Sequence, residues 1–520
     1  MVIKILLLVA FFGTMVAVGL YCRKHATDVN GFVLGGRSVG PWLTAFAYGT
    51  SYFSAVIFIG YAGQFGWKYG VASTWIGLGN ALIGSLLAWV VLGRRTRILT
   101  QYLGSSTMPD FFGKRFGSKW LKIGASLITF LFLIPYTASL YNGLSRLFEM
   151  AFGIDYVWCI LVMSILTGIY VIAGGYMATA INDFIQGIIM IVGIVAVIAA
   201  VLSSHGGFTA ALAEMAGVTD GSADMPGAFA SFFGPDPLNL LGVVILTSLG
   251  TWGLPQMVQK FYAIKSEDSI KKGTVISTLF AVVVAGGCYF LGGFGRLADI
   301  PLTVTDGVAL PAEGFDAVVP GMLSALPDLL IAVVVILVLS ASMSTLSSLV
   351  IASSSTLTID FLKGNLIKKM SEKKQVLLIR VFVVVFVAIS ALIAVYQVKS
   401  SDEAVKYIAQ LMGVSWGALA GAFLAPLLYG LYWKRTTKAA CWTSFIFGAG
   451  IMIANMLARS AFPAILQSPI NCGAFAMLAG LVIVPLVSLV TPKGDRAAVD
   501  AMFACYDKKV EVSQKTSLID

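Results

Sequence analysis

The chain has 520 residues, of which 58% are apolar and only 12% charged, against about 25% charged in globular domains. A soluble core of this length cannot bury so many apolar side chains and keep a wettable surface. With a mean hydropathy of +0.89, soluble enzymes, secreted disulfide scaffolds and disordered tails are excluded, and the net charge of +10 has to be read from its placement along the chain.

A hydrocarbon core about 30 Å thick needs roughly 20 apolar residues of helix. Thirteen runs qualify, near 2–22, 41–65, 72–93, 121–150, 156–175, 179–202, 236–262, 270–297, 326–358, 376–397, 403–431, 439–460 and 470–491, numbered below as spans 1 to 13. Span 1 has no small-residue cleavage site and runs straight into Arg23 and Lys24, which suits a retained anchor better than a signal peptide. With the N-terminus outside, the inside segments collect Arg94, Arg95, Arg97, Lys114, Arg115, Lys119, Lys260, Lys265, Lys271 and Lys272. They go on to collect Lys363, Lys368, Lys369, Lys373, Lys374, Lys434, Arg435 and Lys438, then Lys493, Arg496, Lys508, Lys509 and Lys515. The outside loops 203–235 and 298–325 hold no Lys or Arg. The basic excess is a topology signal, not a nucleic-acid footprint. It predicts a multi-pass protein of the plasma membrane with its N-terminus outside, its C-terminus cytoplasmic and the lipid bilayer as its surroundings. Cys22, Cys159, Cys288, Cys441, Cys472 and Cys505 sit mostly in or beside apolar runs and read as buried thiols.

Many spans without a soluble domain leave a transporter, a channel, a membrane-embedded enzyme or a sensor. The spans lack the His or Asp pairs of a membrane enzyme, and fewer than thirty residues follow 491, too few for a sensor's output domain. A transporter is favoured, with a transporter-like sensor or a channel as the alternatives. Span 2 is interrupted near Gly49, Thr50 and Ser51, and span 7 along Thr247-Ser-Leu-Gly-Thr-Trp-Gly-Leu-Pro255. Gly and Pro inside a span free carbonyls, tolerable only where protein or a water-filled cavity receives them. Because the two broken spans are five apart, spans 2–6 and 7–11 suggest two repeats of opposite orientation around a central site. The expected organisation is an extra helix at 1–22, repeats at 41–202 and 236–431, two further helices at 439–491 and a cytoplasmic tail at 492–520.

Span 9 carries the densest hydroxyl cluster, from Ser340 to Thr356. At 3.6 residues per turn, Ser340, Ser344, Ser347 and Ser348 share a face, with Ala341 and Thr345 adjoining it. Such oxygens suit an alkali cation, and small hydroxyl residues equally suit close helix packing. Asp183, near the start of span 6 with Gln186 one turn on, is the most informative acid: a carboxylate inside a span is a functional candidate, and one in a first turn is a helix cap. At 1.5 Å per residue, Thr50 lies roughly 14 Å, Ser347 roughly 17 Å and Asp183 roughly 6 Å above the inner ends of their spans, so a shared ion region is geometrically open.

Leu34-Gly-Gly-Arg-Ser-Val-Gly-Pro41, Gly174-Gly175 followed by Asn182, Asp183 and Gln186, and Ser342-Met-Ser-Thr-Leu-Ser-Ser348 together resemble the sodium:solute symporter family, from about residue 20 to 440. Phe111-Phe-Gly-Lys-Arg-Phe116 and Pro255-Gln-Met-Val-Gln-Lys-Phe261 are similar to its bacterial sodium/proline branch. The resemblance implies an all-α membrane protein of about thirteen helices, with a LeuT-type five-plus-five inverted repeat, discontinuous helices, and sodium-coupled uptake. It implies a sodium site built from carbonyls of Thr50, Phe53 and Ala341 with hydroxyls of Ser344 and Thr345. It further implies a second sodium site, found in some members, at Asp183, Ser347 and Ser348. Where the proline branch has an acid in span 2 this chain has Tyr52, and where that branch has tryptophan in span 7 it has Thr247. The solute therefore stays open between an amino acid such as proline or another carboxylate and a sugar or a vitamin such as pantothenate. Tyr48, Tyr52, Tyr136, Thr247, Thr251, Trp252 and Gln256 are candidate pocket residues, with helix packing as the other reading of each.

Overall fold

The computed structural model describes residues 2–223, 225–324, 326–363, 366, 367, 369–399 and 408–507. Residues 403–407 of span 11, Lys368, Lys508, Lys509 and Lys515 lie outside the described residues. Helix starts follow the local chemistry. Pro41 and Pro237 open spans 2 and 7 in the first helical turn, where the missing N–H costs nothing. Ser118, Asp236, Ser266 and Thr437 cap spans 4, 7, 8 and 12 by accepting from backbone amides.

Among the described residues, each of the thirteen expected runs overlaps a helix. By length and composition, nine of the described helices can cross a membrane, or ten with the bent pair Pro237–Gly253 and Pro255–Ala263 taken as one. The breaks account for the difference. Span 2 is divided, and its second half joins span 3 as one long helical run, Val56–Tyr102. Spans 1 and 5 are present as the shorter apolar helices Ile5–Tyr21 and Val157–Ile169. Spans 5 and 6 meet at Gly175, whose φ of 57° and ψ of −152° end one helix and start the next; glycine has no Cβ to oppose this turn. The loop after span 8 departs from the all-helical expectation: Leu302–Thr305 pairs antiparallel with Val308–Pro311. Alternating Thr and Val beside an Asp306-Gly307 turn, both at positive φ, make the hairpin locally favourable.

Span 11, Ile408–Tyr432, is buried along almost its whole length, packed by spans 4, 7, 12 and 13. The second half of span 2 meets the end of span 8 backbone to backbone, so closely that a Cβ on Gly66 would stand 1.8 Å from the Gly292 carbonyl oxygen. At the other end of span 8, away from the hairpin, Arg37 donates to the carbonyls of Tyr262 (3.2 Å), Thr100 (3.4 Å) and Ser105. Burial pulls the Arg37 guanidinium down to about 10, partly offset by Tyr262. It therefore stays charged at neutral pH and fastens the start of span 2 to spans 3 and 7. Beside it Asp360 accepts from Thr107 Oγ1 at 2.5 Å and pairs with Lys122 at 3.2 Å, and Lys122 pairs with Asp110 at 2.7 Å.

Candidate functional site

Span 2 runs as helix from Pro41 to Thr50 and is irregular over residues 51–54 before helix resumes. This break begins where the sequence places it. The face of span 9 turned toward it is Ser342, Thr345 and Ser348, spaced by three residues. Ser342 Oγ accepts from Ala55 N at 3.0 Å, and Ser348 Oγ meets Ser51 Oγ at 2.8 Å. Between them, Thr345 Oγ1 lies 3.1 Å from each of three carbonyl oxygens, those of Thr50, Phe53 and Ala341. A hydroxyl has one proton to donate, so it satisfies one carbonyl at a time. Four oxygens thus converge with a single donor among them, in a fully buried place, an arrangement able to coordinate a small monovalent cation.

Ser344, the other hydroxyl expected at this site, is turned toward span 6. Its Oγ is buried within interaction range of Asp183 and has no hydrogen-bond partner among the described residues. Ser347 Oγ turns back onto the Ser344 carbonyl at 2.8 Å. Ser340 Oγ has no partner among the described residues. The face expected from Ser340, Ser344, Ser347 and Ser348 is therefore shared out: Ser348 faces span 2, Ser344 faces span 6, and Ser347 bonds its own helix.

Asp183 lies more than two turns past Gly175 at 3.6 residues per turn, so it is not a helix cap. It is fully buried, and its carboxylate Oδ2 stands 3.7 Å from Lys260 Nζ. Gln186 and Asn182 turn instead toward span 1, where their amides approach Met15 at 3.1 and 3.5 Å. Lys260 corrects the sequence reading. Counted there among the basic residues of the inside loops, it is 2% exposed, because the break of span 7 at Leu254 turns the following helix inward. Arg97 and Arg115 are likewise buried.

A second polar group gathers between spans 2, 3, 4, 8 and 11. The Tyr52 and Tyr136 rings sit 6.4 and 5.8 Å from the Trp416 ring. Asn80 lies within interaction range of both Tyr52 and Tyr289. The hydroxyls of Tyr52, Tyr136 and Tyr289, the Trp416 indole N–H and Asn80 Nδ2 are buried without a hydrogen-bond partner among the described residues. Buried polar groups normally find partners, so five in one place make a candidate site for a polar solute or water. Gln256, just past the break of span 7, is also buried with its amide unpartnered. The other candidates are tied into packing: Tyr48 OH and Thr251 Oγ1 both bond the Gly84 carbonyl (2.8 and 3.0 Å), Trp252 Nε1 the Ile83 carbonyl (2.9 Å), and Thr247 its own helix at Val243 (2.9 Å). Sequence reasoning does not single out Asn80, Tyr289, Trp416 or Lys260 as site residues, and takes Ser342 only as part of the hydroxyl-rich motif of span 9. Asn80 and Trp416 had a usable signal, as polar groups alone in apolar runs. Toward the hairpin a cavity of about 410 Å³ opens, lined by Gln64, Lys68, Asp236, Asn239, Gln410 and Asn471 among others.

A family model described as the sodium:solute symporter family matches residues 32–448. The sodium/proline symporter of Staphylococcus aureus (strain JH9) is 31% identical over 466 residues, covering 86% of this chain and 85% of the relative. Among solved structures, a Na+-coupled sialic acid symporter in a substrate-bound outward-open state superposes with a TM-score of 0.71 at 17% identity, covering 95% of this chain and 99% of that one. Mhp1, a nucleobase-cation-symport-1 family transporter in a closed conformation, superposes with a TM-score of 0.51 at 13% identity over 91% and 98% of the two chains. Those two structures bear on the fold, which is of the LeuT type. The match over most of the length, added to a cation-ready cluster at the break of span 2, means that the chain belongs to the sodium:solute symporter family, transporters rather than enzymes, with sodium as the coupling ion.

Proposed function

We propose that this sodium-coupled symporter imports a small polar organic solute that is neutral or zwitterionic, such as proline or another amino acid, across the plasma membrane. The observation that carries the reading is the convergence of the Thr50, Phe53 and Ala341 carbonyls on Thr345 Oγ1. Sodium at that point ties the broken span 2 to span 9, and solute binds next to it among Tyr52, Tyr136, Asn80, Tyr289 and Trp416. None of those five side chains carries a formal charge, which suits a solute of no net charge. The S. aureus relative supports an amino acid as the first candidate.

The cavity on the hairpin side is the entry route in this reading, and the Arg37 and Asp360 clusters close the opposite, cytoplasmic side. The two five-helix repeats, 41–202 and 236–431, then rock about the site, with the N-terminus outside. Moving one charge through 100 mV is worth about 2.3 kcal/mol, so one sodium supports roughly 50-fold accumulation from the membrane potential alone. The test is uptake of labelled proline into proteoliposomes under an imposed sodium gradient, with amino acids, sugars, carboxylates and pantothenate as competitors. Sodium-driven uptake displaced by a neutral amino acid is the expected result. Uptake displaced only by sugars or by pantothenate would overturn the solute assignment, and uptake equally driven by a proton gradient would overturn the coupling at Thr345.

A further inference from the structure

We propose that Lys260 is the built-in cation of the Asp183 pocket, so that this transporter binds one sodium, at Thr345, and none at Asp183. The inference rests on the sodium reading above and deepens it by setting the ion count. Asp183 is fully buried, and a buried carboxylate is tolerated only when a cation or a dense set of donors balances it. Lys260 Nζ stands 3.7 Å from its Oδ2, with the two side chains 3% and 0% exposed. The same ammonium donates to Ser348 Oγ at 3.0 Å and lies 5.1 Å from the centre of the Tyr176 ring, whose face attracts cations.

One positive charge thus already answers the one negative charge in the pocket. A sodium ion added there would sit about 4 Å from a second cation in a poorly hydrated place, a repulsion that lowers its affinity by about three orders of magnitude at an effective dielectric near 20. The oxygens that would hold a free cation are nevertheless gathered: both Asp183 oxygens and Ser344 Oγ have no hydrogen-bond partner among the described residues, and Ser348 Oγ adjoins. Removing the lysine side chain therefore leaves a carboxylate and two hydroxyls for a mobile ion. The lysine also connects the two halves of the ion machinery. It reaches from span 7 to Asp183 of span 6 and Ser348 of span 9, and Ser348 touches Ser51 at the break of span 2, the same break that supplies the Thr50 and Phe53 carbonyls.

The test is equilibrium binding of radioactive sodium alone to the purified full-length chain in detergent, with no solute added. The expected result is one sodium per chain for the wild type and for Lys260→Arg, two for Lys260→Ala, and one again for the double variant Asp183→Asn, Lys260→Ala. Two sodium ions bound by the wild type would overturn the proposal, and so would a single ion bound by a Lys260→Ala protein of unchanged elution and melting profile. If Lys260→Ala does not survive purification, the wild-type count alone decides, one supporting the proposal and two refuting it. A wild type that binds no sodium would fail the Thr345 site itself, a result distinct from both.

Discussion

Replacing Thr345 by Val keeps the shape of the side chain and deletes the hydroxyl on which three carbonyls converge at 3.1 Å. Two losses follow, and they differ in size. Without sodium, the protein loses one neutral hydrogen bond, worth about 0.5–1.5 kcal/mol, so Thr345→Val should fold and insert with a modest drop in melting temperature. With sodium, it loses one oxygen facing a full charge, an interaction of about 1.5–3 kcal/mol. At 1.4 kcal/mol per decade, the sodium concentration for half-maximal uptake should rise by about 10- to 100-fold, and maximal uptake in saturating sodium should largely recover. Thr345→Ser keeps the oxygen and should stay near the wild type. The assay is solute uptake in proteoliposomes against external sodium at fixed membrane potential, with sodium-dependent thermal stabilisation in detergent as a check that needs no solute. A valine variant with the sodium dependence of the wild type would refute the assignment of the coupling ion to this cluster.

Tyr52→Phe removes a hydroxyl that no described residue uses. It should leave stability unchanged while weakening half-saturation for solute by about 2- to 12-fold, the worth of one neutral hydrogen bond, and equal solute affinity in the two proteins would remove Tyr52 from the pocket. Gly66→Ala drives a methyl to 1.8 Å from the Gly292 carbonyl oxygen, an overpacking penalty at or above the usual 1–3 kcal/mol. Its melting temperature should fall by several degrees, while Gly168→Ala, with open space around the new Cβ, should match the wild type. In the loop between spans 6 and 7, burial alone would raise the Asp220 carboxyl, but bonds from Ser222 and Arg296 (2.5 Å to Arg296 Nη1) outweigh it and hold the group below the ordinary carboxylate range. The stabilisation is then present above the unfolded value of about 3.9 and is lost as pH falls through the lowered one. Amide protection around residues 218–223 should persist at mildly acidic pH and fall only under strong acid, and protection that collapses near pH 6 would contradict the pairing.

What could be read before any coordinates is tied to signals that act over one helix or one turn. The break of span 2 was legible because Gly49, Thr50 and Ser51 interrupt an apolar run, and the break of span 7 because Pro255 cannot continue a helix; the structure places that second break at Leu254, the far end of the stretch the sequence marks. The hairpin at Leu302–Thr305 and Val308–Pro311 carries a local signal of its own, the Asp306-Gly307 turn, inside a loop whose charge pattern says nothing of strands. The hydroxyl face of span 9 was legible in part. Helical periodicity alone groups Ser340 with Ser344, Ser347 and Ser348, whereas Ser342, Thr345 and Ser348 are the ones that touch span 2. Which face of a helix meets a neighbour depends on the neighbour's position, and span 2 is almost 300 residues away in sequence from span 9.

By itself the sequence determined that this chain is a many-helix membrane protein with two broken helices and a hydroxyl-rich one, and its short motifs carried the resemblance to a sodium symporter family. The helices and their breaks need only hydropathy and the Gly and Pro positions, because bilayer thickness and the backbone's demand for hydrogen bonds act on each segment separately. Only the tertiary structure decided what surrounds Asp183. The sequence places Lys260 among the inside-loop cations, whereas the helix that follows the bend at Leu254 holds it 2% exposed and within 3.7 Å of a carboxylate on span 6. Two charges can remain buried this far from water only by sharing one pocket, and that pairing is a property of how spans 6, 7 and 9 pack, not of any one of them.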